Sequence, residues 1–203
     1  MRKTFFIFFL SLVVAFGSDL KTLEKLFNET KTLRVSFVQR VKYDWYPKED
    51  ESKGIFYAQR GGKFRLEYYS PDRITVISDG SKVYLINHEE KSVYVEPISA
   101  NTSPVIESLF LLSKPLSEVF DLVSVTRRGN YEVYTLVPLK EDKNIQKVQV
   151  YLDSNGEIKK IVSYDKQNTK TEIDFIEVRR NFRPSEEVFR VRIPADYQVR
   201  RNG

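Results

Sequence analysis

Chemistry at neutral pH needs nucleophiles, proton carriers or metal ligands gathered in one place, and this chain of 203 residues supplies few of them. It has no cysteine and a single histidine, His88. Without cysteine there is no disulfide, no thiolate metal site and no thiol nucleophile. His88 falls in His88-Glu89-Glu90, between two alternating apolar runs. There a solvated turn residue is expected, not a base or a ligand. The 28 acidic residues mostly occupy the polar positions of alternating segments, and no Gly-x-Ser-x-Gly, phosphate-cradling loop or acid pair beside the histidine occurs. The expectation is a protein with no catalytic residues, no metal and no cofactor.

One polar side chain remains to be placed. Gly54, Phe56, Ala58 and Arg60 are spaced by two, so a regular strand directs the Arg60 guanidinium to the side of Phe56. Two readings stand. In one the strand ends at Gln59 and Arg60 enters a solvated Gly61-Gly62 turn. In the other Arg60 sits on the rim of an apolar concavity and offers its five donors to a mobile cover.

The elements around Arg60 read as consecutive strands. From Gly54 to Gly80 polar and apolar residues alternate, with turn residues at Gly61-Gly62, Ser70-Pro71-Asp72 and Asp79-Gly80. Phe64, Leu66 and Tyr68 share one face; Lys63, Arg65 and Glu67 share the other. Before this region, Asp19 can cap a helix whose stripe is Leu20, Leu23, Leu26 and Phe27. Leu33, Val35, Phe37, Val41, Tyr43 and Trp45 then form one face of a long strand, with Gln39 its polar member, followed by a charged loop over 48–53. Lys82 to Asn87 and Ser92 to Glu96 read as a hairpin.

Asn101-Thr102-Ser103-Pro104 is a helix start, with Ser103 as cap and Pro104 in the first turn. The segment Val105 to Leu112 is apolar at six of eight positions, too greasy for an ordinary surface helix. It is either a core plug or a lid over an apolar cavity. Strands return over 122–126, 131–138, 145–153, 157–165 and 169–179, and Phe189 to Pro194 reads as a last one. Val148, Val150 and Leu152 share a face, and Ile158, Val162 and Tyr164 another. Strands at this spacing without intervening helices give a single domain built on one antiparallel sheet, closed or half closed on itself.

Composition fits that reading: 41% hydrophobic, 13% aromatic. The net charge of +5 comes from 33 basic residues interleaved with 28 acidic ones, so no nucleic-acid surface is expected. Residues 1–17 have Arg2-Lys3, an apolar run from Phe5 to Phe16 and small residues at its end, the pattern of a secretory signal cleaved near Gly17. The run is short of the roughly 20 residues of a spanning helix. Residues 18–203 would be the mature domain.

Taken together, several of these pieces resemble the LolA family of outer-membrane lipoprotein carriers. They are Val35-Ser36-Phe37-Val38-Gln39, Gly54 leading through an aromatic strand to Arg60, Phe64-Arg65-Leu66-Glu67-Tyr68, Ser70-Pro71 and Ser78-Asp79-Gly80. To these are added the Asn101 to Pro104 helix start, Asp153-Ser154-Asn155-Gly156 and the closing Phe189-x-Val-x-Ile-Pro194. The family often has Pro after the arginine and Trp in the third strand, where this chain has Gly61 and Leu66.

The resemblance implies a mainly β protein with α elements, an open antiparallel half-barrel covered by a helical lid. It would be a monomeric periplasmic carrier whose cavity takes lipoprotein acyl chains. Phe37, Trp45, Phe56, Phe64, Leu66, Tyr68, Val148, Val150 and Leu152 would line that cavity. Val105, Ile106, Leu109 and Phe110 would form the lid, and Arg60 would latch it by bonding lid backbone. Implied partners are acylated lipoproteins, an inner-membrane lipoprotein-release ABC transporter like LolCDE, and an outer-membrane receptor like LolB. An envelope-stress sensor of the RseB type, binding lipid or misfolded protein, and an adaptor whose apolar face is only core are the alternatives.

Overall fold

The computed structural model describes residues 19–98 and 103–201. The leader read over 1–17 and the helix-start residues Asn101 and Thr102 lie outside them. Asp19 opens α1 (Leu20–Glu29) by accepting the Thr22 N–H at 3.2 Å, which satisfies one of the first turn's free donors. Leu23 and Phe27, four apart and so on one face, are buried against the sheet.

Among the described residues, twelve strands and a second α-helix follow: β1 (Thr32–Lys42), β2 (Glu49–Gln59), β3 (Lys63–Ser70), β4 (Ile74–Asp79), β5 (Lys82–Asn87), β6 (Ser92–Pro97), α2 (Pro104–Leu109), β7 (Phe120–Arg128), β8 (Tyr131–Pro138), β9 (Lys147–Leu152), β10 (Ile158–Tyr164), β11 (Lys170–Arg180) and β12 (Gln198–Arg201). The strands make one open sheet in the order β12-β6-β5-β4-β3-β2-β1-β11-β10-β9-β8-β7. Two meanders therefore meet where β1 pairs with β11, Phe37 opposite Phe175. Pairing is antiparallel throughout except between β12 and β6, which run parallel.

Cross-strand partners share a face, so the register names the rows of the inner surface. Leu33, Ala58 and Phe64 form one row; Val35, Phe56, Leu66 and Val76 the next; Phe37, Gly54, Tyr68 and Ile74 a third. Gly54 is needed in that third row. A Cβ there would lie 2.5 Å from the Glu67 carbonyl oxygen and 2.6 Å from Cζ of Phe37. The missing side chain lets the Phe37 ring cross β2 and meet Tyr68 edge to face, centroids 5.6 Å apart.

The outer face is held in water by charge. Arg40 pairs with Asp174 at 2.5 Å and Glu51 at 3.3 Å, Lys160 with Glu172 at 2.5 Å and Asp174 at 3.1 Å, and Lys170 with Glu172 at 2.7 Å. The lattice joins β2, β1, β11 and β10 on the side opposite the aromatic rows, so the acidic residues are paired across strands.

Four expectations are corrected. The charged stretch 48–53 is mostly strand: β2 begins at Glu49, because Glu51 finds Arg40 directly across the ladder. A β-bulge between Ile158 and Lys160 shifts the register of β10, so Ile161, not Val162, joins Val150 on the inner face. The segment Phe189 to Pro194 is not a strand. It follows a 3-10 turn (Glu186–Phe189) and lies across the outer side of β4–β6, where Val191 and Ile193 pack on Ile77, Ile86, Val93 and Val95. Its alternation thus reflects contact with one apolar surface. His88, at the β5–β6 turn, is half-buried, bonded to Thr75 Oγ1 at 2.9 Å and the Tyr197 hydroxyl at 3.1 Å. It ties the turn to the C-terminal segment, and burial, reinforced by the charges of Arg73 and Arg65, lowers its pKa.

Candidate functional site

The inner rows of β1–β3 do not close on themselves. They bound an apolar cavity of about 270 Å³ whose floor includes Val35, Phe37, Phe56, Phe64, Leu66 and Tyr68. From the other meander come Ile158, Ile161, Ile173 and Phe175; Phe27 of α1 and Ile106, Leu109, Phe110 and Leu111 cover it.

The cover is built from local rules. Ser103 Oγ accepts the Ile106 N–H at 3.3 Å and Pro104 takes the first turn, where an N–H would have no partner in the helix and proline has none to leave unpaired. With six residues, α2 is too short to stand alone. Its end is tied by Ser108 Oγ donating to the Lys114 carbonyl at 3.1 Å and by a Glu107–Lys114 ion pair at 2.6 Å. Phe110 lies edge to face on Phe56, centroids 6.0 Å apart.

Strand β2 does end at Gln59 and Arg60 is exposed in the turn after it, yet its guanidinium is bonded to protein rather than left to water. Its Nη1 donates to the Leu112 carbonyl at 2.5 Å, just past α2. Nη2 donates to Phe27 O at 2.6 Å, Thr30 O at 3.2 Å and Asn28 O at 3.3 Å. Those three are carbonyls at the C-terminal end of α1, where helices leave acceptors unsatisfied and favour a cation. One guanidinium thus joins both helices. Its acceptor on the cover, Leu112, is buried with φ of 53°, a left-handed conformation that costs a branched residue energy unless its surroundings impose it.

The polar residue expected on the inner face also has a partner: Tyr68 donates its hydroxyl to Gln39 Oε1 at 2.9 Å. Burial pushes the Tyr68 phenol above its ordinary pKa, with the bond to Gln39 opposing. Among the described residues no charged side chain lines this space, so it suits a hydrocarbon ligand.

Of the residues expected around an acyl-chain cavity, Phe37, Phe56, Phe64, Leu66 and Tyr68 are brought together, as are Ile106, Leu109 and Phe110 above them. Val148, Val150 and Leu152 are not; they are sealed in a core with Leu23, Val105, Leu116, Tyr134 and Leu136. Val105 faces that core too, about 100° round α2 from Ile106. Trp45 is displaced altogether: β1 stops at Lys42, a turn closed by Tyr46 N–H to Tyr43 O follows, and the indole is 80% exposed. Sequence reading missed Phe27, Ile161, Ile173 and Phe175. Phe175 was legible as an inner-face position only with the β1–β11 pairing known.

Among the described residues no helix is long and apolar enough to cross a membrane. The model of the family "Outer membrane lipoprotein carrier protein LolA" matches residues 28–192. An outer-membrane lipoprotein carrier protein from Methylobacillus flagellatus is 28% identical over 183 residues, 90% of this chain and 89% of the relative. One from Nitrosospira multiformis is 23% identical over 195 residues, 96% and 93%. An uncharacterized conserved protein from Thermus thermophilus shares the fold at a TM-score of 0.57 and 15% identity, over 90% of this chain and 96% of the other. Apart from Phe27, the cavity, its cover and the arginine between them lie within the matched span, and the chain belongs to the LolA family of outer-membrane lipoprotein carriers.

Proposed function

We propose that this protein is a soluble periplasmic carrier that takes the acyl chains of lipoproteins from an inner-membrane release transporter and surrenders them to an outer-membrane receptor. The observation that carries the reading is an uncharged, almost wholly apolar cavity under a short helix fastened by Arg60 to the Leu112 carbonyl. At about 270 Å³ the space is at the lower edge of ligand pockets. Several acyl chains need the cover to lift. Lifting it must break the Arg60 bond to Leu112 and draw Leu109 and Leu112 from the core, while the bonds to Phe27, Asn28 and Thr30 can keep the guanidinium on α1.

The energetics ask for such a cover. An acyl chain of roughly 15 methylenes is worth about 12 kcal/mol on burial. Three fully buried chains would exceed the practical ceiling of about 18–21 kcal/mol for reversible binding and would not be released. Opening the cover takes back part of that energy and keeps the complex weak enough to hand on. The test is native mass spectrometry of the chain from Ser18, mixed with a triacylated lipoprotein in detergent that is then removed. A one-to-one soluble complex that passes its cargo to an acceptor supports the carrier; an empty protein beside aggregated lipoprotein rules it out. Arg60→Leu should retain cargo longer than wild type, and release at the wild-type rate would sink the role given to Arg60.

A further inference from the structure

Trp45 is the most exposed large apolar side chain among the described residues, at 80%. It stands in the β1–β2 turn between Tyr43 and Tyr46, with ring centroids 5.6 and 5.7 Å away. The turn's place in the fold is informative. Leu33, Val35, Phe37 and Gln39 follow the cavity along β1, and Arg60 is bonded near the start of that strand, its N–H on the Lys31 carbonyl at 2.9 Å. Tyr43 comes four residues beyond Gln39, about 13 Å at strand rise. The aromatic tip and the latched end thus lie at opposite ends of β1.

Charge at the base of the tip is unbalanced in one place. Lys42 is the direct cross-strand partner of Lys170, an unfavourable pairing of like charges. Both lysines line a groove of about 350 Å³ with Tyr43, Trp45, Tyr46 and Pro47, and with one carboxylate, Asp44. Lys170 also reaches Glu172, and Glu49 faces Lys42 from β2. Two ammonium groups beside indole and phenol rings match a lipid phosphate with the glycerol and upper acyl region next to it. Tryptophan and tyrosine are the side chains that settle at that depth, apolar in body and polar at one edge.

We propose that the β1–β2 turn is a bilayer-docking tip, seating Tyr43, Trp45 and Tyr46 at headgroup level with Lys42 and Lys170 on lipid phosphate. Docking would present the unlatched end of the cavity to the membrane; that use rests on the carrier reading, while the docking itself does not. Asp44, Glu49 and Asp50 flank the tip, so the rings supply most of the affinity and anionic lipid adds to it.

Trp45 is the chain's only tryptophan, so its emission reports the tip alone. The chain from Ser18 is mixed with vesicles of phosphatidylcholine, with and without phosphatidylglycerol, and with vesicles whose acyl chains are brominated near the headgroup. The expected result is a blue shift and bromine quenching on both compositions, larger with phosphatidylglycerol. In flotation, Trp45→Ala should lower vesicle binding about tenfold, and Lys42→Gln or Lys170→Gln about fivefold each on anionic vesicles. Unshifted, unquenched emission overturns the proposal, as does Trp45→Ala floating like wild type, or a blue shift produced only by an added protein receptor. Native mass spectrometry of Trp45→Ala with lipoprotein keeps the readings apart: cargo bound but no vesicle docking defines the tip, whereas no cargo bound even by wild type fails the carrier reading alone.

Discussion

The inner face of one sheet is packed solid in one half and hollow in the other. Over β7–β10, Tyr134, Leu136, Val148 and Val150 are fully buried beneath Leu23, Leu109, Leu112, Leu116 and Val119. Over β1–β3, Phe56, Phe64, Leu66 and Tyr68 are only partly buried, and Ile106 and Phe110 span the space without filling it. The alternation of apolar residues is the same in both. What differs is the supply of side chains from above: α1 and the segment after α2 dock on the first half, and Glu24 fixes them by accepting from Ser117 Oγ at 2.6 Å and Ser117 N–H at 3.1 Å. The second half is covered chiefly by one short helix, with Phe27 of α1 and Leu111 at its margin and Arg60 bonded between the two helices. An apolar sheet face is therefore a core or a binding cavity according to what covers it.

The sharpest test of that contrast is a matched pair of truncations. Leu136→Ala should cost about 2–5 kcal/mol in urea unfolding. Leu66→Ala, which removes atoms already facing empty space, should cost about 1 kcal/mol. Equal losses would erase the distinction between the halves. Gly54→Ala should cost about 1–3 kcal/mol by forcing Phe37 out of its place across β2, and should weaken cargo binding measured by native mass spectrometry.

Removing the guanidinium tests the cover alone. Arg60→Leu leaves the Leu112, Phe27, Asn28 and Thr30 carbonyls to water, a loss of about 1 kcal/mol. Its clearer effect is faster hydrogen exchange through α2 and Leu112, with β8 and β9 unchanged; uniform acceleration across the sheet would mean that Arg60 holds the whole fold.

The smallest effect concerns the C-terminal segment, which covers the outer side of β4–β6. The folded pKa of His88 is lowered by burial, so the unfolded chain binds the proton more readily. The stability it contributes is present above the ordinary histidine pKa of about 6.5 and is lost as pH falls through the lower folded value. Histidine NMR titration and proteolysis at 186–201 should therefore show the segment loosening in mild acid, and His88→Phe should remove the pH dependence while keeping the ring contact with Tyr197.

Much of the architecture was legible beforehand. Asp19 and Ser103 marked the two helix starts, and the ends of β4, β5 and β8 follow from Asp79-Gly80 and Gly129-Asn130, because capping and turn geometry depend on neighbours in the chain. Strand ends without such signals were not. Lys48 to Lys53 looked like loop until Arg40 supplied a partner for Glu51, and Tyr43 and Trp45 looked like strand because alternation carries no stop signal of its own. The bulge after Ile158 exchanged Ile161 for Val162, a one-residue slip that periodicity cannot register.

The candidate site divides in the same way. By itself the sequence determined the inner face of β1–β3, the apolar character of α2 and the placing of Arg60 in step with Phe56, since side-chain alternation is a local property of a strand. Only the tertiary structure decided that Val148, Val150 and Leu152 are core while Ile161, Ile173 and Phe175 face the cavity, and that Arg60 reaches two helices at once. Those facts depend on which elements meet across the sheet, and such meetings are fixed by packing between residues far apart in the chain.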